Sequence, residues 1–291
     1  MEDLKSNIEL IDTEGCDIEY VQRVEKSIQK TFKKEIWRQF TKAINDFKLI
    51  EDGDRIAVCV SGGKDSMLTC KLFQELKKHG INNFSVKFLA MDPGYDEKNL
   101  LTIKENAKKL NIPLYIFKSN IFDMVDSNKY KGSPCYFCAR MRRGHLYKFA
   151  KELSCNKIAL GHHFDDVIET TLMSVLYSGQ FQTMMPKLKS KNYPGMELIR
   201  PLYYVHEDDI IRWKNYNNLQ FINCACRLTE GLDMDFKKAT KRAVTKEIIN
   251  KLEKDNPIVK KNIFRSAMNV TLPMVLGYKT KDETKSFLDD Y

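Results

Sequence analysis

The chain has 291 residues, 43% of them hydrophobic, enough to fill the core of one large domain or two modest ones. No apolar run approaches the roughly 20 residues needed to cross a bilayer. The acidic start Met1-Glu2-Asp3-Leu4-Lys5-Ser6 lacks an apolar signal core, so the expected location is the cytoplasm with no membrane association. A net charge of +9 suits a polyanionic partner without identifying one, and in a reducing compartment the eight cysteines point to metal or sulfur chemistry rather than disulfides.

Residues 1–19 read as a polar, acidic lead-in. From about Tyr20 to Asp46, Phe32, Ile36, Phe40 and Ile44 recur every four residues and form one apolar stripe, expected to be a core-facing helix. Strand-like runs then alternate with helical ones. Strands are predicted at 55–60, 84–90, 113–118, 157–160 and 196–200, and helices at 65–79, 97–110, 137–153, 166–178 and 206–217. That alternation predicts an α/β fold with a doubly wound, mostly parallel sheet covered on both faces. From about Thr229 to Asn269 the chain is lysine-rich and helical, followed by a polar tail. The expected organisation is a lead-in and helix over 1–46, a nucleotide-binding domain over 47–225, and a helical extension with a tail over 226–291.

The most informative stretch is Ser61-Gly62-Gly63-Lys64-Asp65-Ser66, between the apolar run 55–60 and a helical segment. A strand that ends in a glycine turn and opens a helix gathers backbone N–H groups and a positive dipole end around an anion. The spacing is not that of the common P-loop, which has four residues between its glycine and its Gly-Lys-Ser/Thr. In open sheets ligands sit at the carboxyl ends of strands. Both this loop and Gly161-His162-His163 fall at such ends, so a shared site is expected.

Cys135-Tyr136-Phe137-Cys138 opens a helical segment, and Cys224-Ala225-Cys226 lies far downstream. Zinc and an iron–sulfur cluster both accommodate two close thiol pairs, although C-x-C is not the usual spacing of a structural zinc knuckle. Cys16, Cys59, Cys70 and Cys155 sit in apolar or isolated contexts and read as buried small hydrophobes. Arg140, Arg142, Arg143, His145 and Lys148 follow the CxxC, either as a solvated basic face or as phosphate contacts. Asp165 and Asp166 stand at a predicted helix start, where the dipole favours carboxylates.

The loop resembles the pyrophosphate-binding loop, SGGxDS, of the N-type ATP pyrophosphatases, which cleave ATP between the α and β phosphates and adenylate a substrate. With Glu51-Asp52-Gly53-Asp54-Arg55, Cys135-x-x-Cys138-Ala139-Arg140-Met141-Arg142-Arg143-Gly144, Ile158-Ala159-Leu160-Gly161-His162-His163-x-Asp165-Asp166, Met185-Pro186-Lys187-Leu188, Ile199-Arg200-Pro201-Leu202 and Ser266-Ala267-Met268-Asn269-Val270 in that order, residues 32–271 resemble the tRNA 2-thiocytidine synthetases, the TtcA family. The resemblance implies ATP with Mg2+ on Ser61, Gly62, Gly63, Lys64, Asp65, Ser66 and Gly161. It also implies a [4Fe–4S] cluster on Cys135, Cys138 and Cys226. Because the later pair is one residue short of the family's CxxC, Cys224 is the alternative third ligand. Asp165 and Arg142 become the candidate catalytic residues. The implied reaction replaces the C2 oxygen of a cytidine, position 32 of a tRNA anticodon loop, with sulfur from a persulfide or sulfide donor, on a homodimeric enzyme. The competing readings are a 2-thiouridine synthetase, a tRNA lysidine synthetase-like ligase, and a non-catalytic RNA-binding module with zinc at the cysteines.

Overall fold

The computed structural model describes residues 8–80, 83–119, 121, 134–222 and 240–291, with the side chains of 134–139 and 290 excepted. The chain divides into two compact units. One comprises residues 1–165 with 185–237, and the other residues 166–184 with 238–291.

The first unit is built on a seven-stranded sheet. In chain order its strands are β1 (Ile8–Leu10), β2 (Arg55–Val60), β3 (Ser85–Asp92), β4 (Leu114–Lys118), β5 (Lys157–Ala159), β6 (Lys187–Lys189) and β7 (Glu197–Ile199). They lie side by side as β1-β4-β3-β2-β5-β7-β6. The pairs β2–β3, β3–β4, β2–β5 and β5–β7 are parallel, and antiparallel β1 and β6 close the two edges. The chain winds outward from β2 through β3 and β4, then returns to β5 on the other side. The order therefore reverses between β2 and β5, the place where doubly wound folds bind ligands.

The period of two along β2 explains why both faces are covered. Ile56, Val58 and Val60 are buried against one layer, while Ala57 and Cys59 are buried against the other. The first layer contains α3 (Lys64–Lys78), α4 (Glu97–Lys109) and α7 (Glu207–Tyr216), together with the N-terminal helical segment. The second contains α5 (Pro134–Glu152), whose Tyr147, Phe149 and Ala150 are buried beneath β3 and β4.

The N-terminal stripe is buried as expected, but its helix is not regular. Helices α1 (Ile18–Lys26) and α2 (Arg38–Asp46) flank two π-helical turns, Ser27–Thr31 and Lys33–Trp37, on either side of Phe32. Apolar residues four apart drift about 40° per step on an ideal α-helix. Wider π turns take up that drift and keep Ile28, Phe32, Ile36 and Phe40 on the core side. Residues 8–10, read from the sequence as part of the lead-in, instead form β1 on β4, with Glu9 paired to Lys104 of α4 at 2.7 Å.

In the second unit, α6 (Phe164–Ser178, from Asp166 onward) is joined by α8 (Lys241–Asp255), where Arg242 pairs with Asp166 at 2.7 Å and with Glu169 at 3.4 Å. Helix α9 (Val259–Ser266) follows. The expected polar tail then forms a hairpin of β8 (Gly277–Lys279) and β9 (Thr284–Ser286).

Candidate active site

The Ser61–Ser66 loop joins β2 to α3 at the switch point. Gly62 has φ +84°, a left-handed conformation. A Cβ there would stand 2.6 Å from Cγ1 of Ile103 and from Cδ1 of Ile222, so a side chain is excluded by space as well as by backbone. Gly63 is the N-cap of α3 and supplies no side-chain hydrogen bond to the helix, which leaves the first turn without a side-chain cap. The loop is braced from within. Buried Ser66 donates from Oγ to the Gly63 carbonyl at 2.9 Å and accepts the Ser61 N–H at 3.2 Å. Such a cradle suits the phosphates of ATP, with Mg2+ carried on the nucleotide's own oxygens.

The Gly161 segment meets this loop as expected. A Cβ on Gly161 would lie 3.0 Å from the Asp65 carbonyl carbon and 3.0 Å from the Ser66 nitrogen. Glycine thus lets the loop after β5 rest directly on the first turn of α3. Nearby, buried His163 stands 3.9 Å from the carboxylates of both Asp65 and Asp165. His162 accepts a hydrogen bond at Nδ1 from Arg200 Nε at 3.3 Å. Arg200 also donates to the Met185 carbonyl, so two of the family-like strings, 185–188 and 199–202, are tied together across the β6–β7 pair.

Lys64 is held between two carboxylates, 3.2 Å from Asp65 and 3.1 Å from Glu207. Burial pulls its ammonium pKa down, but Asp65 and Glu207 outweigh that and leave it above the usual lysine value. Asp165 has a role that the sequence does not reveal. It is the second residue of α6, yet its Oδ2 accepts the N–H of Glu207 at 2.8 Å and so caps the start of α7. Glu207 and this cap lie among ordinary acidic first-turn residues, and no sequence signal distinguishes them.

Arg142, on α5, donates to the Tyr95 hydroxyl at 2.6 Å, and its guanidinium lies 5.7 Å from the centre of the same ring. Tyr95 sits in the turn after β3, where buried Asp92 accepts the N–H groups of Gly94 and Tyr95 at 2.9 and 2.8 Å. Arg142 therefore reaches the carboxyl edge of the sheet. Cys59, Cys70 and Cys155 are buried, as expected, whereas Cys16, in the turn before α1, is only half-buried. Burial raises the three buried thiols, which keeps them protonated and inert.

Of the cluster candidates, Cys135 and Cys138 lie three residues apart in the first turns of α5, positions that share a helix face. Cys224 and Cys226 lie outside the described residues. Among the described residues no group of three His, Cys, Asp or Glu side chains is placed to hold a metal. Ile222 touches the Gly62 position, and a Cβ on Gly63 would lie 3.8 Å from the Ile222 carbonyl oxygen. Gly63, Lys64, Asp65, Phe221 and Ile222, with Lys214 of α7, line a cleft of about 80 Å³.

A PP-loop domain model matches residues 32–228. A tRNA-cytidine(32) 2-sulfurtransferase from Geotalea uraniireducens is 35% identical over 242 residues, covering 82% of this chain and 93% of the relative. Another, from Coxiella burnetii, is 37% identical over 255 residues, covering 86% and 95%. The chain belongs to the tRNA-cytidine(32) 2-sulfurtransferase family of PP-loop proteins. Its fold is also similar to that of the U34-tRNA thiolase NcsA from Methanococcus maripaludis, solved with its [4Fe–4S] cluster. That likeness has a TM-score of 0.65 at 22% identity and covers 81% of this chain and 78% of that one. Among the described residues of this 2-sulfurtransferase family member, no helix is long and apolar enough to cross a membrane.

Proposed function

We propose that this chain is an ATP-dependent tRNA thiolase that replaces the C2 oxygen of a cytidine, position 32 of the anticodon loop, with sulfur. The observation that carries the reading is the Ser61–Ser66 cradle at the switch point of the sheet, with Gly62 in a left-handed conformation and Gly161 resting on the first turn of α3.

Carbon 2 of a pyrimidine resists substitution because its oxygen is a poor leaving group. Adenylation makes that oxygen part of AMP and releases pyrophosphate. Sulfur then adds at C2 and AMP departs. In this reading the amides at the start of α3, with Ser61 and Ser66, hold the pyrophosphate portion, beside Lys64 in its bridge between Asp65 and Glu207. Asp65 would hold the Mg2+ that accompanies ATP. Asp165 is a positioning residue: by capping α7 it sets Glu207 and hence Lys64. Arg142 takes the nucleotide side from α5. Cys135, Cys138 and Cys226 would hold a [4Fe–4S] cluster, which would supply a binding point for an external sulfur species. The sulfur donor is free sulfide, or a cysteine desulfurase persulfide whose S–S bond is then cleaved by a thiol reductant. The enzyme acts in the cytoplasm as a homodimer, on a loop base that is already largely unpaired and needs little energy to extrude.

Mass spectrometry of tRNA nucleosides from cells with and without the gene tests the proposal. Loss of 2-thiocytidine supports it. Loss of 2-thiouridine or lysidine instead, or no change, refutes it.

A further inference from the structure

Lys64 is not the only cation at the cleft. Lys214, near the carboxyl end of α7, is half-buried beside Gly63, Lys64 and Asp65. Its neighbour in sequence, Trp213, is fully buried in the core layer, which fixes this stretch of α7 beside the cleft. Other shielded lysines of the first unit have partners: Lys64 has Asp65 and Glu207, Lys71 has Glu25, Lys157 has Asp54, and Lys87 has the Leu153 carbonyl and the Tyr115 ring. The Lys214 ammonium has no ion pair or hydrogen bond among the described residues. An ammonium beside a cleft without a carboxylate partner is available to an anion that enters it.

The charge arrangement says what that is. Lys64 faces Asp65 and Glu207, and Asp165 stands behind Glu207, so the loop's own lysine is already neutralised before a nucleotide arrives. Among the described residues that line the cleft, the positive charge left uncommitted for an entering polyphosphate is on Lys214. We propose that Lys214 is a second phosphate-binding residue, contacting the pyrophosphate portion of ATP from the α7 side while the α3 amides contact it from below. This rests on the reading of the Ser61–Ser66 loop as an ATP site and adds to it a residue from outside the motif.

Calorimetric titration of the full-length protein with inorganic pyrophosphate tests this, using wild type, Lys214→Ala and Lys214→Arg. One lost charge-assisted contact should weaken binding about tenfold in Lys214→Ala. Lys214→Arg should stay close to wild type. The melting temperature of both should be unchanged, because no ion pair of the fold is removed. Raising salt should weaken wild type more than Lys214→Ala. Binding of nucleotide-free protein to tRNA should be the same for all three. Equal pyrophosphate affinity of Lys214→Ala and wild type overturns the inference while leaving the ATP site intact. Loss of tRNA affinity with unchanged pyrophosphate affinity also overturns it, and assigns the lysine to RNA. Failure of wild type itself to bind pyrophosphate overturns the reading of the loop and the inference together.

Discussion

Gly161 and Asp65 approach so closely that a β-carbon on Gly161 would stand 3.0 Å from the Asp65 carbonyl carbon. The neighbouring atoms are backbone, which cannot swing aside as a side chain can. Gly161→Ala should therefore lift the loop after β5 off the first turn of α3, with a stability loss of about 1–3 kcal/mol from overpacking. Pyrophosphate affinity should fall with it. Thermal melts and calorimetry on this variant check both, and a protein with wild-type binding would show that the two loops do not depend on each other.

Asp165 accepts the Glu207 N–H at the start of α7. Removing such a cap in Asp165→Ala should lower stability by about 1 kcal/mol and release Glu207 from Lys64. Asparagine keeps an acceptor oxygen at the same place. Asp165→Asn should thus recover most of the stability and most of the ATP affinity lost in the alanine variant. If turnover collapses in Asp165→Asn while stability and affinity hold, the carboxylate has a direct chemical role beyond positioning.

The cradle is built from 61–66, 161 and 222, and its bracing bonds run among Ser61, Gly63 and Ser66. Cys135→Ser and Cys138→Ser should consequently bind pyrophosphate like wild type after anaerobic reconstitution. They should also lose the visible iron–sulfur absorbance and form no thionucleoside. Retained thiolation by either variant would remove that cysteine from the ligand set.

Glu25 joins the N-terminal helix to α3 through Lys71 at 2.8 Å and Lys78 at 2.6 Å. Burial pushes its carboxyl pKa up, but the two lysines outweigh burial and hold it below the usual value. A carboxylate whose folded pKa is depressed stabilises fully above its unfolded value and loses that contribution as pH falls through the folded one. Melting temperature should be flat around neutrality and decline below about pH 4.5 in part through this group. Lys71 is fully buried, and there burial outweighs the pull of Glu25 and lowers the ammonium pKa. Glu25→Ala strands that cation, so the stability loss should be about 3 kcal/mol at neutral pH. A pH-stability curve for Glu25→Ala that runs parallel to wild type in acid would contradict this assignment.

What could be read in the sequence was whatever depends on local chemistry. The β2–loop–α3 unit was legible because a run of buried residues, two glycines and a helix-forming segment stand in immediate succession. The alternation of strands and helices gave the doubly wound sheet for the same reason. Strand β1 was hidden because three residues, one of them Glu9, carry too little pattern, and its pairing partner β4 lies about a hundred positions away. The hairpin β8–β9 was hidden by its exposed, polar residues. The two π turns around Phe32 leave the four-residue spacing intact and so look like an ordinary helix. At the site, Ser61–Ser66 and Gly161 were visible as motif residues. Glu207, Lys214 and the capping by Asp165 were not, because their meaning arises only when α7 is folded against α3.

The central claim is that ATP cleavage at the Ser61–Ser66 loop and sulfur transfer from the cysteine segment are successive steps on one base. It is tested most directly by incubating anaerobically reconstituted protein with unmodified tRNA, ATP and sulfide, then quantifying AMP and tRNA nucleosides in the same samples. The account predicts 2-thiocytidine and AMP in equal amounts, with neither formed when the other substrate is omitted. Thionucleoside without AMP, or AMP with unmodified tRNA, would contradict it.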